Sequence, residues 1–169
     1  MIDFFHKSAS MTKRISGIAK MKGAPVVNAR PLRKITRVGT FFDGEDRVTS
    51  VFLEVADTPE KRKIGLMGRE DVPEVYGMLF DGLSGGGHFW MKDCLVPIDV
   101  AFLDKDGFVS KTYSMKVDKE GSEHYEYDDN DVAAVELHEG FLKKFGIEKG
   151  HRFETRKLES GKDGDGEQA

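Results

Sequence analysis

The chain is expected to fold as a mainly β (α+β) single domain, compact and β-barrel-like, with two short helices and a basic N-terminal arm. Three observations point there. Nineteen glycines and twelve phenylalanines in 169 residues favour a turn-rich sheet over a helical bundle. Apolar residues alternate with period two, as at Val51, Leu53 and Val55. A single cysteine excludes an internal disulfide, so a packed core has to hold the fold.

Three parts are expected: an arm over residues 1–45, a core over 46–157 and a polar, glycine-rich tail over 158–169 that buries too little to order itself. Within the arm, Met11, Ile15, Ile18 and Met21 line one face of a short helix ending before Pro25. Residues 35–42 offer an alternative there, a first strand packed on the core. The strand through Val51 ends near Ala56. Thr58, Pro59 and Glu60 then supply a hydroxyl cap, a proline at the first helical position and an acid beside the positive dipole end. That helix is expected to stop around Met67 and Gly68.

Residues 77–80 and 88–91 read as short buried strands flanking a glycine-rich loop, 82–87. After Pro97, residues 98–103 run extended. Asp104-Lys105-Asp106-Gly107 is a hairpin turn into a strand over 108–117. Residues 118–131 are polar and read as a long loop. A strand over 132–137, a short helix over 140–145 capped by Gly146, and a closing strand over 151–156 complete the core.

Charge is polarised. Residues 1–40 hold nine bases against Asp3 alone, a formal +8, which leaves −12 on the remainder of a chain whose net charge is −4. The bases Lys13, Arg14, Lys20, Lys22, Arg30, Arg33, Lys34 and Arg37 are therefore candidate partner contacts. A protein partner or larger assembly is the first expectation. Nucleic acid and self-association with an acidic neighbouring copy are alternatives. No window nears the roughly 18 consecutive apolar residues of a membrane helix, so no membrane partner is expected. No secretory signal is evident at the N-terminus, and a cytoplasmic address is expected, with a virion or assembly-associated role resting only on the arm and the lack of an export signal.

The densest chemistry lies in Gly65-Leu66-Met67, Gly77-Met78-Leu79-Phe80 and Trp90-Met91-Lys92-Asp93-Cys94 followed by Val96-Pro97-Ile98-Asp99. With Val135-Glu136-Leu137, Gly140 and the turn from Gly146 to His151, these residues resemble the bacterial and archaeal family called domain of unknown function 192, or uncharacterised protein family 0127. The resemblance covers about residues 48–154 and implies a compact β-rich, barrel-like domain with small helices. Asp93 and Cys94 stand where the family pattern has Asn and Thr, and His151 where it has Asp. Many members of the family carry export signals.

Several constellations compete. Met67, Met78, Met91 and Cys94, with His88, are soft ligand types that suit Cu(I), but methionines also fill core gaps and a lone cysteine packs as a small hydrophobe. Asp93 and Asp99 are spaced to divide acid and base work at a pocket mouth, or to cap backbone N–H groups of a loop such as 85–87. Trp90 with Phe89 and Tyr76 makes either an aromatic platform or core. The 82–87 loop lacks the context of a phosphate-binding motif. The expected function is a non-enzymatic binding or structural module without cofactor, anchored by its arm. Its ligand surface would be drawn from His88, Trp90, Lys92, Asp93 and Asp99. The alternative is an enzyme or copper-handling protein built on Asp93, Cys94 and Asp99. An exposed, acidified Cys94 would favour the alternative, and a Cys94 buried among Met78, Phe80 and Ile98 the module.

Overall fold

The computed structural model describes residues 34–158. The helix expected over 11–21, the arm bases Lys13, Arg14, Lys20, Lys22, Arg30 and Arg33, and the tail beyond Leu158 lie outside the described residues.

Those residues form nine strands and two helices: β1 (Arg37–Asp43), β2 (Asp46–Ala56), α1 (Pro59–Ile64), β3 (Tyr76–Asp81), β4 (Gly87–Trp90), β5 (Ile98–Asp104), β6 (Val109–Met115), β7 (His124–Tyr127), β8 (Asp131–His138), α2 (Phe141–Phe145) and β9 (Arg152–Lys157). Seven strands make one sheet in the order β6-β5-β8-β3-β2-β1-β9, and β4 pairs with β7 as a separate ribbon. Only the β2–β3 neighbours are parallel, joined by the crossover that carries α1. At one end the outer strands meet: Phe108 bridges Arg152, and Val109 N–H donates to the His151 carbonyl at 2.8 Å. Elsewhere they stay apart, so barrel-like describes the curl of this sheet and not a closed barrel.

Alternation along the strands sorts the core into two faces. Met78, Phe80, Val100 and Phe102 point to the first, where Leu66, Met91 and Cys94 from the loops pack on them. The ribbon covers this face too: the Phe89 ring lies 4.9 Å from Phe80 and 5.1 Å from Phe102, and Tyr127 stacks on Phe102 at 5.5 Å. Leu79, Ala101, Val135 and Leu137 point to the second face, closed by Phe41, Phe141, Leu142 and Phe153. Central strands β5, β8 and β3 are thus covered on both sides. The Phe153 ring lies so close over Gly39 that a Cβ there would sit 2.3 Å from it.

Local chemistry explains most boundaries. Thr58 accepts the Lys61 N–H at 3.3 Å and Pro59 opens α1, as expected. The helix stops at Ile64, earlier than expected, because Gly65 turns to φ 45°. The Asp104 carboxylate accepts the Asp106 and Phe108 N–H groups, each at 2.9 Å, and fixes the expected β5–β6 turn. The boundary expected after residue 45 falls in the β1–β2 turn. Strand β1 therefore belongs to the sheet, in agreement with the alternative reading of residues 35–42. The expected loop 118–131 holds a strand, β7, whose Tyr125 and Tyr127 alternate onto the core beneath a run of acids that disguised it.

An ion pair is sealed inside the first face. Arg69 donates to Glu54 at 2.7 Å with both side chains 1% exposed, and its guanidinium lies 5.4 Å from the centre of the Tyr76 ring. Burial, then Glu54, holds the Tyr76 phenol well above its ordinary pKa. Removing one partner of such a pair strands a charge away from water. Arg69→Ala is therefore expected to lower unfolding free energy by about 3–5 kcal/mol in urea titrations. Pairing Arg69→Met with Glu54→Gln should recover at least half of that loss.

Candidate functional site

A pocket of about 300 Å³ opens where α1 and the residues after it face the β4–β7 ribbon. Its walls are Leu66, Met67, Phe80, Leu83, Phe89 and Tyr127; Arg62, Lys63, His88 and Trp90 also line it. Trp90 is 40% exposed, and His88 stacks on His124 with ring centres 4.1 Å apart.

Glu136 also lines this pocket, the one carboxyl among the described residues that does. It lies in central strand β8, opposite Met78 of β3 and Val100 of β5. Residue Glu136 is 5% exposed, and its Oε2 meets no hydrogen-bond partner among the described residues. Burial pushes its carboxyl up to about 8, with the charge of Arg69 offsetting part of the rise. The rise favours the protonated carboxyl, which can donate a hydrogen bond. A Cβ on Gly65 would lie 3.5 Å from Oε2 and 3.1 Å from the Phe80 ring, so a glycine lets the chain pass close over this carboxyl.

The residues expected to carry function divide. His88 and Trp90 reach the pocket. Cys94 reaches it too, but lies 8% exposed in the cluster with Met78, Phe80 and Ile98. Burial first, then the Glu136 and Asp93 charges, push its thiol up to about 12. It is a protonated packing group and not an activated nucleophile. Met78 and Met91 are buried in the same cluster and Met67 packs against it. No group of three His, Cys, Asp or Glu side chains converges as metal ligands among the described residues.

Lys92 and Asp93 are exposed and do not line the pocket; the Lys92 ammonium lies 5.7 Å from the Trp90 ring centre. Asp93 serves the backbone. Its φ is 59°, the left-handed region that Asn and Asp tolerate better than most residues, and its carbonyl accepts the Gly68 N–H at 2.9 Å.

Asp99 is fully buried on the second face, not at a pocket mouth. It accepts from Ser114 Oγ at 2.8 Å and from the Leu142 N–H at 2.9 Å. The expected cap is real but its target is α2, whose N-cap Gly140 has no side chain to offer, and not the 85–87 loop. Tyr76 is buried beneath the site against Arg69, so it forms no platform with Trp90. Of the arm bases, Lys34 is exposed, and Arg37 donates to Thr155 Oγ1 at 3.2 Å within the sheet. Glu136 was missed as a site residue. Its signal was present, a glutamate alone in the strand run Val132-Ala133-Ala134-Val135-Glu136-Leu137.

A family model described as "DUF192: Uncharacterized ACR" matches residues 41–155. Two solved structures share the fold. One, from Sinorhizobium meliloti 1021 and provisionally described as a transcription regulator, is 24% identical with TM-score 0.65, over 75% of this chain and 98% of its own. The other, a protein of unknown function from Novosphingobium aromaticivorans DSM 12444, is 22% identical with TM-score 0.65, over 79% of this chain and 94% of its own. No curated protein matches the chain.

Two outcomes follow from these positions. Between pH 4.5 and about 8 the folded chain holds a Glu136 proton that the unfolded chain has lost, so wild-type stability falls as pH rises through that window and then levels. Glu136→Gln does not titrate. Its stability advantage over wild type is expected to grow across the window to about 1–4 kcal/mol, read from urea titrations at pH 5, 7 and 9. Asp99→Ala is expected to cost about 2 kcal/mol by uncapping α2, with the denaturant slope unchanged.

Proposed function

The chain belongs to the DUF192 family, and we propose that this member is a non-enzymatic binding module whose ligand is a small molecule seated between α1 and the β4–β7 ribbon. One observation carries the reading: a buried carboxyl lining a largely apolar pocket, its Oε2 without a hydrogen-bond partner among the described residues. An unmet buried polar atom costs about 1–3 kcal/mol, and a ligand acceptor placed there recovers it. The pocket volume lies at the lower end of the range for small-molecule sites. Covalent chemistry has less support, since the Cys94 thiol is protonated, Asp99 is committed to α2 and Asp93 faces solvent. The proposal also takes the basic arm as the module's anchor to an acidic partner or assembly, a reading supported by the charge contrast between residues 1–40 and the acidic remainder.

The chain's only tryptophan, Trp90, stands beside the pocket and makes a direct reporter. Titrating a library of drug-fragment-sized compounds into the full-length protein is expected to give saturable changes in Trp90 fluorescence with matching rises in Tm. Met67→Phe, which narrows the pocket, should abolish both signals while preserving the fold by circular dichroism. Hits that bind the narrowed variant equally well, or no hits at all, would sink the proposal.

A further inference from the structure

Resting on that reading of the pocket, we infer that its ligand class is a small organic anion: a flat apolar body with a carboxylate, sulfonate or phosphate toward Arg62 and Lys63, and a hydrogen-bond acceptor toward Glu136. The charges lining the pocket are uneven. Two permanent cations line it, and Glu136 is its single carboxyl among the described residues. Arg62 is held in place by donating from Nη1 to the Asp81 carbonyl at 2.7 Å, which leaves its other N–H groups for a ligand. Lys63 is exposed and makes no salt bridge with any described residue. The rings of Phe80, Phe89 and Tyr127 also line the pocket and favour a planar body. About 300 Å³ holds one or two fused rings with a substituent, not an extended chain.

A floor that donates and an edge that attracts anions discriminate in the same direction. A cationic ligand meets Arg62 and Lys63 with like charge. A ligand without an acceptor leaves Glu136 unmatched.

Two fluorescent probes separate the possibilities: 1-anilinonaphthalene-8-sulfonate and its uncharged counterpart N-phenyl-1-naphthylamine. Both are titrated into the full-length protein at low and high salt. The sulfonate is expected to bind about tenfold more tightly at low salt, and the preference should shrink as salt screens it. Lys63→Gln with Arg62→Gln should bring the ratio of sulfonate to neutral-probe affinity down to about one at low salt. Equal affinity for both probes overturns the anion assignment and leaves the pocket standing as a ligand site. Sulfonate fluorescence that persists undiminished in Met67→Phe comes from another surface and overturns the assignment as well. If neither probe binds and the fragment library also fails, the pocket reading itself falls.

Discussion

The constraint behind this structure is a sheet whose central strands, β5, β8 and β3, are covered on both faces. Strands so placed need two separate covers. Helix α2 with the phenylalanines of β1 and β9 supplies one, and the β4–β7 ribbon with the loops after α1 supplies the other. The second cover is a ribbon on a short crossover segment, not a continuous layer, and a pocket lies where the two meet. Glu136 is exposed to that pocket because its strand is central and its parity faces the ribbon. A group at the same position with opposite parity would have entered the closed face among Val135, Leu137 and Phe141.

The polar groups of the first face work against one another. Arg69 is paired with Glu54 on one side and lowers Glu136 on the other, yet burial of Glu136 dominates and keeps its proton on. Glu54 and Glu136 are alike in type and in burial, but only Glu54 has the guanidinium in contact. One carboxylate is thereby structural and the other remains chemically available.

Much of the strand pattern was legible because period-two alternation and turn residues report directly on burial and hairpins. The Asp104 turn, the Thr58 cap and the β8 strand were all readable in that way. Strand β7 was not, because its two tyrosines are separated by charges that face solvent, and a ribbon of four residues per strand has little periodicity to show. The candidate site was legible in outline, since His88, Trp90 and Cys94 do gather at one pocket. Asp99 was misplaced because sequence gives the parity of a strand residue but not which of two buried faces it enters. Glu136 stood in plain view as the one charged residue inside an apolar central run. It was absorbed into the family pattern when it could have been weighed as a buried acid.

The pairing of β1 with β9 has a mechanical consequence. Arg37 at the start of β1 faces Lys157 at the end of β9, and just beyond them the Leu158 N–H donates to the Thr36 carbonyl at 2.9 Å. Tension applied through the chain at Thr36 and Leu158 would therefore load these rungs one after another, as a zipper opens, and never share the load across the ladder as in a shear geometry. Such a geometry yields at low force when pulled at those two residues. The Phe108–Arg152 bridge stands at the far end of β9 from that opening, where it would be among the last contacts to part.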